Sequence, residues 1–302
     1  MFVKCKHFNW VEVNINTFVK QVLQFLKSAR CMDSRFIEQG KASFHYRQFG
    51  SGNKLLFCFH GYGRDGHSFD FLDEPLGKQF TIIAIDMPFH GLTKWNDTLT
   101  FHPNYLVQVM QKIRQNLHKE KEKFSLLGFS MGGRISLHLT QILHKHIDKV
   151  VLIAPDGLKI NFWHWFCTHT WLGNKLLGYS INHAGWVLYL CRVAEKTKVI
   201  NASVAGFVMD YLHDSEERQK LYQRWTTLRK FRLYKDKLKR IIIKDKIPVR
   251  MLFGLHDKII FSSSGRKFRK GMEDYASVKV INENHYILKE RHAETIGELL
   301  NG

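Results

Sequence analysis

Acidic residues are scarce in this chain: 27 Asp and Glu stand against 46 Lys and Arg in 302 residues, a formal net charge of +19. That imbalance bears on partners and solubility rather than on fold, and it suits nucleic acid, an anionic membrane surface or acidic substrates. Cysteine is sparse as well. Cys5, Cys31, Cys58, Cys167 and Cys191 are odd in number and form no CxxC, so neither a zinc site nor a disulfide framework is indicated. A reducing, cytoplasmic location is the expectation. No stretch approaches the ~18 apolar residues that a membrane span needs. Behind Lys4 and Lys6 no apolar segment follows, because Asn9, Glu12, Asn14 and Asn16 interrupt it, which argues against a secretory signal. Internal repeats and low-complexity tracts are missing, and so is any nucleic-acid recognition module; nucleic acid is not an expected partner.

What is present is enough apolar material for a sizeable core, 44% hydrophobic and 13% aromatic. Residues 1–35 read as an extension, in which Phe18, Val19, Val22, Leu23, Phe25 and Leu26 recur at helical spacing. From Phe36 the pattern becomes that of strands. Ala42–Phe49 alternates, a Gly-Ser-Gly-Asn turn follows, and Leu55–Phe59 and Thr81–Asp86 are near-continuous apolar runs of the kind buried on both faces. Helical stripes at Asn104–Leu117 and Arg134–His146 alternate with short strands at Phe124–Leu127 and Lys149–Ala154. This rhythm predicts an α/β protein with a mostly parallel sheet and helices on both faces. It breaks from Asp156 to Lys246, where helical, aromatic and basic segments take over, and returns at Pro248–Gly254. The predicted organisation is a core over 36–156 and 248–302, interrupted by a helical insertion over 157–247.

Gly128-Phe129-Ser130-Met131-Gly132 lies between the predicted strand at 124–127 and the helix that follows. A serine hydroxyl is a weak nucleophile near neutral pH. It needs a base beside it, a group to orient that base, and donors for the developing oxyanion. A GxSxG arises by chance in roughly one chain of ten, but its strand–turn–helix setting gives it meaning.

Further segments, in the same order along the chain, resemble those of the α/β-hydrolase family. His60-Gly61-Tyr62-Gly63 is similar to the family's oxyanion turn, which implies that the backbone N–H groups of Tyr62 and Met131 form an oxyanion hole. Asp86-Met87-Pro88-Phe89-His90-Gly91 resembles a structural loop of the family. Gly254-Leu255-His256-Asp257 resembles its acid turn, which implies Asp257 as the third catalytic member, with Asp156 as the alternative. Asn282-Glu283-Asn284-His285 stands where the family keeps its base. The order Ser130, Asp257, His285 fits this family and neither of the two best-known protease families.

The resemblance implies hydrolysis of a small or lipid-like carboxylic ester, without cofactor or metal. A thioesterase, an acyltransferase or a carbon–carbon bond hydrolase would use the same three residues, and a non-catalytic binding protein on this scaffold is the reading from another class. In the insertion, Phe162, Trp163, Trp165, Phe166, Trp171, Tyr179, Trp186 and Tyr189 are expected to form a small core of the cap. An acyl pocket or a membrane-facing lid are the alternatives. His164, His169 and His183 lack metal-ligand spacing. Residues 215–246 carry twelve Lys and Arg against four Asp and Glu, which makes peripheral contact with an anionic membrane a further expectation. Oligomeric state is not legible.

Overall fold

A computed structural model describes residues 33–96, 100–159, 162–198, 206 and 214–302. The helix expected within 18–26 therefore lies outside the described residues. Among the described residues eight strands form one sheet: β1 (Asp33–Gln39), β2 (Ala42–Phe49), β3 (Lys54–Phe59), β4 (Phe80–Ile85), β5 (Phe124–Phe129), β6 (Ile147–Ile153), β7 (Val249–Gly254) and β8 (Ala276–Ile281). Their order is β1-β2-β4-β3-β5-β6-β7-β8. β1 and β2 pair antiparallel, β2 joins β4 antiparallel, and every other neighbouring pair is parallel.

The continuous apolar runs follow from burial on both sides. Along β3, Leu55, Phe57 and Phe59 enter one core cluster, while Leu56 and Cys58 enter the other; β4 divides Ile83 and Ile85 from Ile82 and Ala84 in the same way. Helices α2 (Pro103–Asn116) and α3 (Met131–Leu143) cover the first face, and a 3₁₀ turn at Gly66–Leu72, the short α1 (Asp73–Leu76) and the C-terminal helix cover the second. Among the described residues the sheet starts at Asp33, ahead of the expected Phe36. Ile37 is the one residue of β1 that is buried, so this edge strand has almost no alternation to read.

Within the inserted stretch the described helices are α4 (Phe162–His169), α5 (Trp171–Asn182), α6 (Ala184–Lys196), α7 (Ser215–Thr227) and α8 (Lys235–Asp245). Leu228, Phe231, Leu238 and Ile242 are buried in the same cluster as Ile135 and Leu139, so the end of the insertion packs into the core. α4 to α6 behave otherwise. Phe162, Trp165, Trp171, Tyr179, Trp186 and Tyr189 are exposed, and the buried apolar side chains are aliphatic or small: Leu177, Ile181 and Ala184. The expected aromatic core of the cap is thus not what these rings build among the described residues. α9 (Ser262–Arg269) and α10 (Ala293–Asn301) complete the core. No helix among the described residues is long and apolar enough to cross a membrane.

Candidate active site

Ser130 occupies the turn between β5 and α3, with φ 49° and ψ −112°. A side chain in that region is strained, and the surrounding contacts hold it there. The Ser130 N–H donates to the Ile153 carbonyl, and the Ser130 carbonyl accepts from Gly133 and Asp156 N–H. Glycine is required at 128, where a Cβ would lie 2.4 Å from the Gly132 carbonyl oxygen. The hydroxyl is thereby lifted to the carboxyl edge of the parallel strands, at the N-terminus of α3.

His285, in the loop after β8, reaches back to it. Its Nε2 lies 3.1 Å from Ser130 Oγ, and its Nδ1 lies 2.7 Å from Asp257 Oδ2. An ionised carboxylate only accepts, so Nδ1 carries the proton and Nε2 is left to accept from the hydroxyl. Asp257 sits just beyond β7. Its Oδ1 accepts from the Ile259 and Ile260 N–H groups at 2.8 Å each, which fixes the other oxygen toward the imidazole. Asp257 is 3% exposed and His285 9% exposed, so this chain of hydrogen bonds is sheltered from water.

Asp156, the alternative acid, lies elsewhere. One oxygen accepts from the Gly157 N–H and the other faces Arg134 at 3.5 Å, so its carboxylate is engaged away from His285. Met131 opens α3, where a first-turn N–H has no acceptor within the helix. The Gly61–Tyr62 turn lies against the same place, since a Cβ on Gly61 would be 3.6 Å from Ser130 Cβ. His60 pins that turn. Its Nδ1–H donates to the Gly61 carbonyl and its Nε2 accepts the Met87 N–H, so both ring nitrogens are used in a neutral tautomer. Burial pushes its pKa down, which agrees with that tautomer.

Asp86 and His90 are not brought to Ser130. Asp86 accepts from Gly66 and Leu92 N–H and pairs with His45 Nδ1 at 2.7 Å, tying its own loop to β2 and to the turn at Gly66. The positioning roles of His45 and His60 were not legible, because each depends on a partner remote in sequence. Among the described residues, no group of three or more His, Cys, Asp or Glu is arranged to hold a metal.

Residues 54–172 match the family model for the alpha/beta hydrolase fold. The chain has the α/β-hydrolase fold. It is similar over 260 residues to the hydrolase YugF of Bacillus subtilis, 22% identical, with 85% of this chain and 92% of that protein covered. A pimeloyl-[acyl-carrier protein] methyl ester esterase of Vibrio parahaemolyticus is 26% identical over 114 residues; the match spans 38% of this chain and 41% of that relative. Among solved structures, a thermophilic esterase from Thermogutta terrifontis superposes with a TM-score of 0.64 at 14% identity, covering 89% of this chain and 98% of that one. The GxSxG turn lies within the matched segment, while Asp257 and His285 lie beyond it.

Proposed function

We propose that this α/β-hydrolase is a serine hydrolase that cleaves carboxylic esters through an acyl-enzyme on Ser130. One observation carries the reading: Ser130, His285 and Asp257 form an unbroken chain of hydrogen bonds, with contacts of 3.1 and 2.7 Å. His285 Nε2 takes the hydroxyl proton as Oγ attacks the acyl carbon. The oxyanion is received by the backbone N–H groups of Tyr62 and Met131, donors of a type each worth about 10²–10³ in rate. Asp257 holds the tautomer and stabilises the imidazolium. His285 then passes its proton to the leaving alcohol, and in the second half it activates water, which releases the acid and restores Ser130.

The esterase names of the Vibrio relative and the Thermogutta structure support an ester. The exposed rings of α4 to α6 favour a lipid-like acyl chain or a lipid surface, because aromatic side chains interspersed with Lys175, Arg192 and Lys196 suit an interface between apolar and anionic material.

A fluorophosphonate probe tests the reading. The wild-type protein should be labelled and Ser130→Ala should not; labelling that persists in the variant would remove Ser130 as the nucleophile. Turnover of a panel of esters and thioesters of increasing acyl length then fixes the bond, and hydrolysis of thioesters alone would replace the ester assignment.

A further inference from the structure

The mouth of the site holds a positive charge that the acyl-transfer steps do not use. Arg224, on α7, reaches over the oxyanion turn. Its Nε donates to the Phe89 carbonyl at 2.9 Å, and its guanidinium carbon stands 5.2 Å from the centre of the Tyr62 ring. Its Nη1 would lie 3.9 Å from a Cβ on Gly63. The guanidinium therefore rests on Tyr62 and Gly63, next in the chain to Gly61, where a Cβ would meet Ser130 Cβ at 3.6 Å.

No carboxylate among the described residues forms an ion pair with Arg224. The acids near the site are already engaged: Asp257 by His285, Asp156 by Arg134, Asp86 by His45, and Asp65 by the His67 N–H. The imidazoles beside Arg224 give it no charge to answer. His60 and His90 are both held neutral, chiefly by burial, and the guanidinium presses them further the same way. His90 Nε2 is buried with no hydrogen-bond partner among the described residues. A half-buried cation without a counter-charge is costly unless an anion arrives to meet it. With Nε committed to Phe89, the two Nη groups retain the planar fork that fits a carboxylate or a phosphate.

We propose that Arg224 is a specificity residue that binds an anionic group, carboxylate or phosphate, carried by the substrate beside the ester that Ser130 attacks. The proposal rests on the ester-hydrolase reading for its placement, yet it can be tested without turnover. In the Ser130→Ala protein, calorimetry compares the monomethyl esters of succinate, adipate and suberate with their dimethyl esters, which differ in charge at nearly constant shape. Monobutyrin and its glycerol 3-phosphate counterpart form the phosphate arm.

The charged member should bind about tenfold tighter or more in at least one pair, as expected for charge-assisted hydrogen bonds. The arm in which this occurs names the anion. Adding Arg224→Gln should abolish the difference, and Arg224→Lys should keep part of it. In the active enzyme, Arg224→Gln should raise KM for the anionic ester and collapse the anionic-to-neutral ratio of kcat/KM. Equal binding of charged and neutral partners in every pair overturns the proposal. So does an Arg224→Gln variant that weakens both alike, the result expected if Arg224 merely props up Phe89. Arg64, the exposed guanidinium over Tyr286, is the control, and loss of the preference in Arg64→Gln instead would also overturn it. Failure of fluorophosphonate labelling in the wild-type protein would sink the hydrolase reading alone, since the binding arm does not depend on it.

Discussion

Gly132 rests so closely on Phe59 that a Cβ at 132 would stand 1.8 Å from the Phe59 carbonyl oxygen. The start of α3 and the end of β3 thus meet backbone to backbone, and that contact sets where the Met131 N–H points. Gly132→Ala must push the two apart. It should destabilise the fold by about 1–3 kcal/mol or more, as overpacking does. If the oxyanion reading holds, ester turnover in the folded protein should also fall. Urea unfolding and a turnover assay check it, and a variant of unchanged stability would contradict the close approach.

Asp257 and Asp156 are separated by what they face. Asp257 meets His285 and Asp156 meets Arg134. Asp257→Asn leaves the shape but offers an amide to the imidazole, which disfavours the tautomer that accepts from Ser130. Its kcat should fall by about 10³–10⁴, the scale of such a change in a serine triad. Asp156→Asn should cost far less. The steady-state kinetics of the two variants side by side give the check, and a larger loss at 156 would reverse the assignment.

Acid should weaken this fold well before its carboxylates are protonated. His164 is held to a pKa of about 4, against the usual 6.5, by burial and by the charge of Arg134, with Asp156 opposing. Above pH 6.5 the ring is neutral in both folded and unfolded chains and contributes no pH dependence. As pH falls from 6.5 toward 4 the unfolded chain takes up the proton and the native one does not, so stability drops over that window. The full effect of this one group is about 3 kcal/mol. His60, His90 and His138 are shifted the same way, chiefly by burial. Thermal unfolding followed between pH 7 and pH 4 (about the range of these shifts) should show a decline that is shallower in His164→Gln. Parallel curves would refute the role of His164.

Much of the scaffold was legible because burial writes itself into sequence. Leu55–Phe59 and Ile82–Ile85 are apolar throughout since each residue meets one core or the other. Ser130, Asp257 and His285 could be named because each follows a strand, where loop residues of a parallel sheet gather at one edge. β1 was hidden by its exposure, with Ile37 as its sole buried residue. The rings of Trp171 and Tyr189 suggested a cap core, yet both are exposed, because aromatic composition alone does not say which side of a helix faces a neighbour. Arg224 gave no signal. A single arginine on a basic helix is one among many until the fold lays it on Tyr62.

His45 and Asp86 make the last prediction, since their pairing is remote from Ser130 yet holds the loops that frame the site. Both are buried, their side chains 1% and 2% exposed, and the carboxylate also accepts from Gly66 and Leu92 N–H. Asp86→Ala would strip the acceptor from two backbone donors and leave the His45 Nδ1 facing a void. Losing one member of a buried, hydrogen-bonded pair costs about 3–5 kcal/mol. Asp86→Asn keeps the shape and part of the hydrogen bonding, so it should cost less. The measurable signature is an ordering of urea midpoints, with Asp86→Ala lowest, Asp86→Asn between, and the wild-type protein highest. Fluorophosphonate labelling should follow that order as well, if the labelled serine depends on the loops that Asp86 ties. An Asp86→Ala protein as stable as the wild type would mean that the ties to Gly66, Leu92 and His45 contribute nothing.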